Sequence, residues 1–122
     1  MRVLATISRT WPRWDIAIAA LSAVAAEHPG ERVTLVHGDN PNGDRNLARI
    51  ARSLYGWDLE AHPAQWRKNG IYNPRAGLLR NQEMVDRGAT VCLAFIHNGS
   101  RGASHCADRA EAAGIETRRH YA

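Results

Sequence analysis

Short apolar, β-branched runs alternate along the chain with stretches whose apolar residues recur every three to four positions. The first pattern is that of buried strands and the second that of amphipathic helices. Strands are expected at Arg2 to Ser8, Arg32 to His37, Asp58 to His62, Thr90 to Ile96 and Glu116 to His120. A first helix is expected from about Trp14 to Glu27, with Trp14, Ile18, Leu21 and Ala25 on one face. A second opens near Asp44 and carries Leu47, Ile50, Ala51 and Leu54. Pro74, favourable in a first helical turn, starts a third that ends near Gly88. The fourth follows Gly102 and sets Ala103, Cys106, Ala107, Ala110 and Ala113 inward, a small-residue stripe suited to close packing. Gly30, Gly56, Gly88 and Gly114 each precede a strand, where a helix exit calls for a left-handed residue. Strand and helix in alternation predict an α/β fold of the Rossmann-like, three-layer kind: a five-stranded parallel sheet with helices on both faces. Pro63 to Asn73 reads as one long irregular loop.

The length of 122 residues fits one domain, 1–122, large enough to fold without a disulfide or a metal. Cys92 and Cys106 form no framework and no ligand set, and read as buried thiols. No metal and no other cofactor is expected. The absence of an apolar run near the roughly 20 residues of a membrane span, and of a signal-peptide core, points to a cytoplasmic protein without a membrane partner. The net charge is +4, but the basic residues are scattered and the few aromatics do not interleave with them, which argues against a nucleic-acid module. Trp11 and Trp57, apolar residues near element ends, suggest self-association into a homodimer or a higher oligomer.

In an open parallel sheet, ligands bind beyond the carboxyl ends of the strands, so the loops there carry the candidate chemistry. After the first strand come Thr6, Ser8 and Arg9, a hydroxyl pair and a guanidinium able to hold a phosphate. After the second, Gly38, Gly43 and Asp44 frame a glycine loop entering a helix, where backbone N–H groups can approach an anion. That loop lacks the Lys-Ser/Thr of a Walker-type phosphate loop, and Asp44 alone would serve as a cap. The third region leads from Trp66, a wall for a base, into Arg80, Asn81 and Glu83 on the third helix. An Arg-Asn pair between Leu79 and Met84 is expensive to bury without partners. The fourth loop, Asn98, Gly99, Ser100, Arg101, Gly102 and Ala103, runs from the most apolar strand into a helix and is the best phosphate cradle in the chain.

Taken in order, these pieces resemble the YspA-like, cpYpsA-related branch of the SLOG superfamily. Its pattern runs roughly T-G-S-R-x-W, V-x-G-x-x-x-G-A-D-x-x-A, P-A-x-W, A-G-x-x-R-N-x-x-M and A-F-x-x-x-S-x-G-T. The likeness spans Val3 to about Ile115. It implies a Rossmann-like fold, usually self-associating and common in bacteria and their phages, whose strand-end loops bind nucleotides or their derivatives. Many relatives are thought to sense a nucleotide signal; the related Lonely Guy phosphoribohydrolases cleave the N-glycosidic bond of a nucleoside monophosphate. The chain departs from the pattern at Ile7, where the family has Gly, at Asn42-Gly43, and at Ala103, which removes a hydroxyl. Where the phosphoribohydrolases place a catalytic Glu, this chain has Ser104, His105 and Cys106, and the next carboxylate on that helix is Asp108. The leading expectation is therefore a nucleotide-binding or sensing protein whose ligand is a nucleotide-derived small molecule. The alternative is a glycosidase in which Arg80 and Glu83, or His105 in place of Glu83, supply the chemistry.

Overall fold

The computed structural model describes residues Met1–Ala122. Strand β1 (Arg2–Ile7) leads to helix α1 (Trp14–Glu27), β2 (Thr34–His37), α2 (Asp44–Tyr55) and β3 (Asp58–Ala61). After an inserted hairpin, β4 (Arg67–Lys68) and β5 (Ile71–Tyr72), come α3 (Ala76–Asp86), β6 (Val91–Ile96), α4 (Arg101–Ala112) and β7 (Glu116–Tyr121). The five long strands form one parallel sheet in the order β3-β2-β1-β6-β7. The order reverses beside β1, which creates the crevice where α/β folds take their ligands.

Alternation along the strands decides which helix covers which face. Val3, Ala5 and Ile7 of β1 and Leu93 and Phe95 of β6 pack with Ala17, Leu21 and Val24 of α1 and Leu47 and Ala51 of α2. The intervening Leu4 and Cys92 meet Met84 and Val85 of α3 and Cys106 and Ala110 of α4. All six residues of β6 are buried, which is why that segment reads as an unbroken apolar run. Gly56 and Gly114 leave their helices with φ of +66° and +80°, the left-handed exits expected of them.

Several positions differ from expectation. The buried face of α1 is Ala17, Ala20, Leu21 and Val24; of the expected row Leu21 is in the core and Trp14 and Ala25 pack half-buried against it, while Ile18 does not join it. Leu54 is exposed because α2 ends one residue later and nothing packs above it, and Ala113 lies past the end of α4, also exposed. Pro74 precedes α3 rather than opening it. Trp11 and Trp57 are core residues, Trp11 packed edge-on to Phe95, so neither offers an interface. The stretch 63–73 is not irregular throughout: Asn69 and Gly70, with φ of +54° and +78°, turn the β4–β5 hairpin in the conformation an Asn-Gly pair favours.

The edge strand β7 explains much of the scattered charge. Its pleat sends Arg118 to Glu27 on α1 and Arg119 to Asp108 and Glu111 on α4, tying the strand to both helical layers. Each such surface pair is worth about 0–1 kcal/mol. No helix of the chain is long and apolar enough to cross a membrane.

Candidate functional site

The carboxyl ends of the strands open into a cleft of about 470 Å³. Four segments line it: residues 6–10 after β1, Asn40 and Asp44 after β2, the hairpin's Trp66 with the start of α3, and residues 100–103 opening α4. Eleven of the positions expected from sequence meet here: Thr6, Ser8, Arg9, Asp44, Trp66, Arg80, Asn81, Ser100, Arg101, Gly102 and Ala103.

The α4 end of the cleft is rich in unengaged donors. Asn98 and Gly99, with φ of +50° and +62°, turn the chain into the helix without lining the cleft. The first backbone N–H of α4 that finds a carbonyl is that of Ser104, which bonds Ser100. The N–H groups of Arg101, Gly102 and Ala103 have no partner in the protein, and Ser100 caps none of them with its hydroxyl. A helix N-terminus in this condition favours an anion. Two guanidiniums stand beside it, Arg9 and Arg101, neither paired with a carboxylate. By contrast Arg2, Arg13, Arg32, Arg45, Arg52, Arg118 and Arg119 all are.

Arg80 is the third guanidinium in the cleft and holds three loops together. Its Nη1 donates to the Gly38 carbonyl and, at 3.4 Å, to that of His62, while Nε donates to Asn81 Oδ1 at 3.0 Å. Only Nη2 is left without a protein acceptor. Asn81 is 3% exposed and passes the link on: its Nδ2 donates to the Gly102 carbonyl and to His105 Nδ1. His105 is approached by donors on both ring nitrogens, Asn81 Nδ2 at Nδ1 and Arg109 Nε at Nε2, and burial together with Arg109 lowers its tendency to charge. Ser8 lines the cleft but its hydroxyl is engaged, donating to the Phe95 carbonyl and accepting the His97 N–H, which clamps β1 to β6.

The glycines of the second loop stand behind the wall. Gly43 packs on the Ile7 and Ser8 carbonyls, and its N–H donates to Asn40 Oδ1 instead of facing the cleft. Gly38 lies against the Arg80 guanidinium, where a methyl group would stand 2.5 Å from Nη1. Asp44 is 6% exposed and accepts the Asn40 N–H on Oδ2 at 3.1 Å. Burial pushes its carboxyl up to about 6, against the opposing pull of the Asn40 N–H and of Arg80.

Glu83 lies outside the cleft. It borders a neighbouring hollow of about 250 Å³, with its carboxylate 3.7 Å from His62 Nδ1, and pairs with neither Arg80 nor Arg87. His62 is itself held by Glu60 at 2.6 Å, and Arg2 grips Glu60 through two hydrogen bonds, holding that carboxyl down at about 2. Lining residues that sequence reasoning passed over include Thr10, Asn40, Gly77 and Leu78. Asn40-Pro41 was a readable signal, since Asn before Pro initiates turns, and its side chain takes the N–H groups of Asn42 and Gly43. Gly77 supports the Trp66 ring, which would stand 3.1 Å from a methyl group there. No three His, Cys, Asp or Glu side chains gather in a way that could hold a metal ion.

The chain is 39% identical over 118 residues to the Gene 61 protein of Mycobacterium phage D29, covering 93% of this chain and 91% of that relative. No solved structure matches it. The profile of the YspA, cpYpsA-related SLOG family matches residues 1–69, which bring the β1 loop, the Asp44 loop and Trp66 to the cleft. With that match over more than half its length, the chain belongs to the YspA, cpYpsA-related SLOG family (YAcAr).

Proposed function

We propose that the cleft binds a phosphorylated nucleotide or nucleotide derivative, as a binding or sensing domain. The observation that carries this reading is the α4 N-terminus, with three unpartnered N–H groups flanked by Arg9 and Arg101. In this reading the phosphate sits there, within reach of Arg80 Nη2. Trp66, 38% exposed and stacked on Tyr72 with centroids 6.4 Å apart, is the wall for a base. Seven of the twelve arginines outside the cleft are paired with carboxylates, which supports a small anionic ligand over a nucleic acid. The glycosidase reading loses support, since Glu83 lies outside the cleft and His105 Nδ1 is occupied by Asn81. The self-associating state remains part of the proposal on the family resemblance alone.

Calorimetric titration of nucleoside mono-, di- and triphosphates and of inorganic phosphate tests the site. Arg101→Ala is expected to weaken every phosphate ligand by about tenfold or more, the loss of one charge-assisted contact. Trp66→Ala weakens the nucleotides and leaves inorganic phosphate unchanged. If no anion binds the wild type, or if Arg101→Ala binds all of them as before, the site assignment fails. Chromatography of the same mixtures is expected to show no free base; its release would make the domain a hydrolase.

A further inference from the structure

The cleft carries one group that a phosphate site has no use for. Arg9, Arg80 and Arg101 are its cations, and Asp44 is its sole carboxylate. Asp44 does not cap α2, because no N–H of the helix's first turn donates to its side chain. Nor does it form an ion pair, although Arg80 faces it from α3. Its Oδ2 accepts the Asn40 N–H, and no side-chain donor reaches its Oδ1. Asp44 lines the cleft, and its Oδ1 is not among the side-chain polar atoms sealed from solvent without a partner, His120 Nε2 being the sole one.

The strand order places the parts of the cleft in sequence. The Trp66 hairpin follows β3, Asp44 follows β2, residues 6–10 follow β1, and the α4 N-terminus follows β6. A nucleotide laid along this row, with phosphate at α4 and base at Trp66, sets its sugar over Asp44. We propose that Asp44 Oδ1 accepts a ribose hydroxyl, so that the site selects ribonucleotides over nucleotides lacking the sugar hydroxyls. This rests on the phosphate-binding reading above and assigns the part of the ligand that reading leaves open. A buried acceptor left without its hydroxyl is an unpaired polar group, which is how such sites reject the deoxygenated analogue.

Protonation adds an independent handle. Burial raises Asp44, and Asp39 on the same loop adds to the rise. The Asn40 and Gly38 N–H groups and Arg80 of α3 oppose it, while the Cys106 thiol of α4 lies within its field. The ionised carboxylate accepts more strongly than the acid, so hydroxyl selection should fade as Asp44 takes up its proton. Phosphate ionisation changes over the same range. Comparing ribo- with dideoxy-nucleotides at each pH cancels that contribution.

The test is calorimetric titration of the four ribonucleoside 5′-monophosphates, their 2′,3′-dideoxy counterparts and inorganic phosphate against wild type and Asp44→Ala. At about pH 8 the best-bound ribonucleotide should exceed its dideoxy counterpart by about tenfold to a hundredfold, the range for a hydrogen bond to a charged group. In Asp44→Ala that ratio should fall to nearly one, with inorganic phosphate bound as well as before or better. A wild-type ratio near one, or an unchanged ratio in the variant, overturns the sugar assignment and leaves phosphate binding standing. Failure of both nucleotides and inorganic phosphate to bind overturns both. Should Asp44→Ala not fold, the wild-type ratio decides alone: it must shrink several-fold between about pH 8 and about pH 5, and a constant ratio overturns the proposal.

Discussion

Asp44→Asn should be more stable than the wild type at about pH 8, by on the order of 2–3 kcal/mol, and the gain should vanish below about pH 4. The folded protein holds the Asp44 carboxyl at about 6, against 3.8 when it is free in water. A carboxyl raised on folding binds its proton more tightly in the native state than in the unfolded one. Between those two values the native state therefore carries more protons, and the wild type gains stability as the pH falls from about 6 towards 4. Above that window the ionised group is a standing cost of burial, at most about 3 kcal/mol for a shift of this size. Asn keeps an oxygen for the Asn40 N–H and removes the charge, so the variant escapes the cost. For a domain of this length the gain corresponds to a melting temperature higher by roughly 5–10 °C. Thermal melts of both proteins at the two pH values check it. Equal melting temperatures at about pH 8, or a gain that persists in acid, would show that Asp44 is not buried at a cost. A group kept at such a cost inside a cleft is a mark of function.

The sheet was legible from the chain because local pattern and tertiary environment agree there. The unbroken apolar run of β6 reflects a strand covered on both faces, and the glycines at 56 and 114 mark helix exits that other residues adopt at a penalty. The face of α1 was harder to read, since Ala, Ile and Val occupy nine of its 14 positions and periodicity hardly separates neighbouring rows. The hairpin was missed although Asn69-Gly70 is a strong turn signal, because its strands are two residues each and present Ile71 and Tyr72 to solvent. At the site, the residue types were visible and their roles were not. Gly38 and Gly43 suggested backbone open to an anion, yet one packs on a guanidinium and the other on two carbonyls. Glu83 stands beside the phosphate-binding candidates in sequence, but it follows Asn81 by two residues, which turns it to the other side of the helix and the neighbouring hollow that Arg80 also borders. A protonation state set by burial, as at Asp44, depends on what packs around the group, including Arg80 from α3, and has no local signature.

Arg80→Ala should lose both binding and stability. Its Nη1 serves the Gly38 and His62 carbonyls and its Nε serves Asn81, so truncation releases the loops after β2 and β3 from α3. Leaving such acceptors unpaired costs about 1–3 kcal/mol, less where cleft water can reach them. Under the proposed function, phosphate affinity falls about tenfold to a hundredfold as Nη2 and the Asn81 orientation go with it. Arg80→Lys should recover little, because a single ammonium cannot reach three acceptors set for a planar fork. Loss of stability would by itself leave the binding defect ambiguous, and Gly38→Ala separates the two. The added methyl would stand 2.5 Å from Nη1 and 2.6 Å from Cζ, so the guanidinium must leave its seat while every Arg80 atom remains. Gly38 does not line the cleft, so the substitution touches ligand through Arg80, and inorganic phosphate, which has no sugar for Asp44 to hold, reads that effect alone. Titration of nucleoside monophosphates and inorganic phosphate should therefore show Gly38→Ala weakened most of the way towards Arg80→Ala, with melts run alongside to confirm that it folds. If Gly38→Ala binds as tightly as the wild type, the seat of Arg80 on the Gly38 carbonyl plays no part in holding the ligand, and Arg80 is a brace between loops and nothing more.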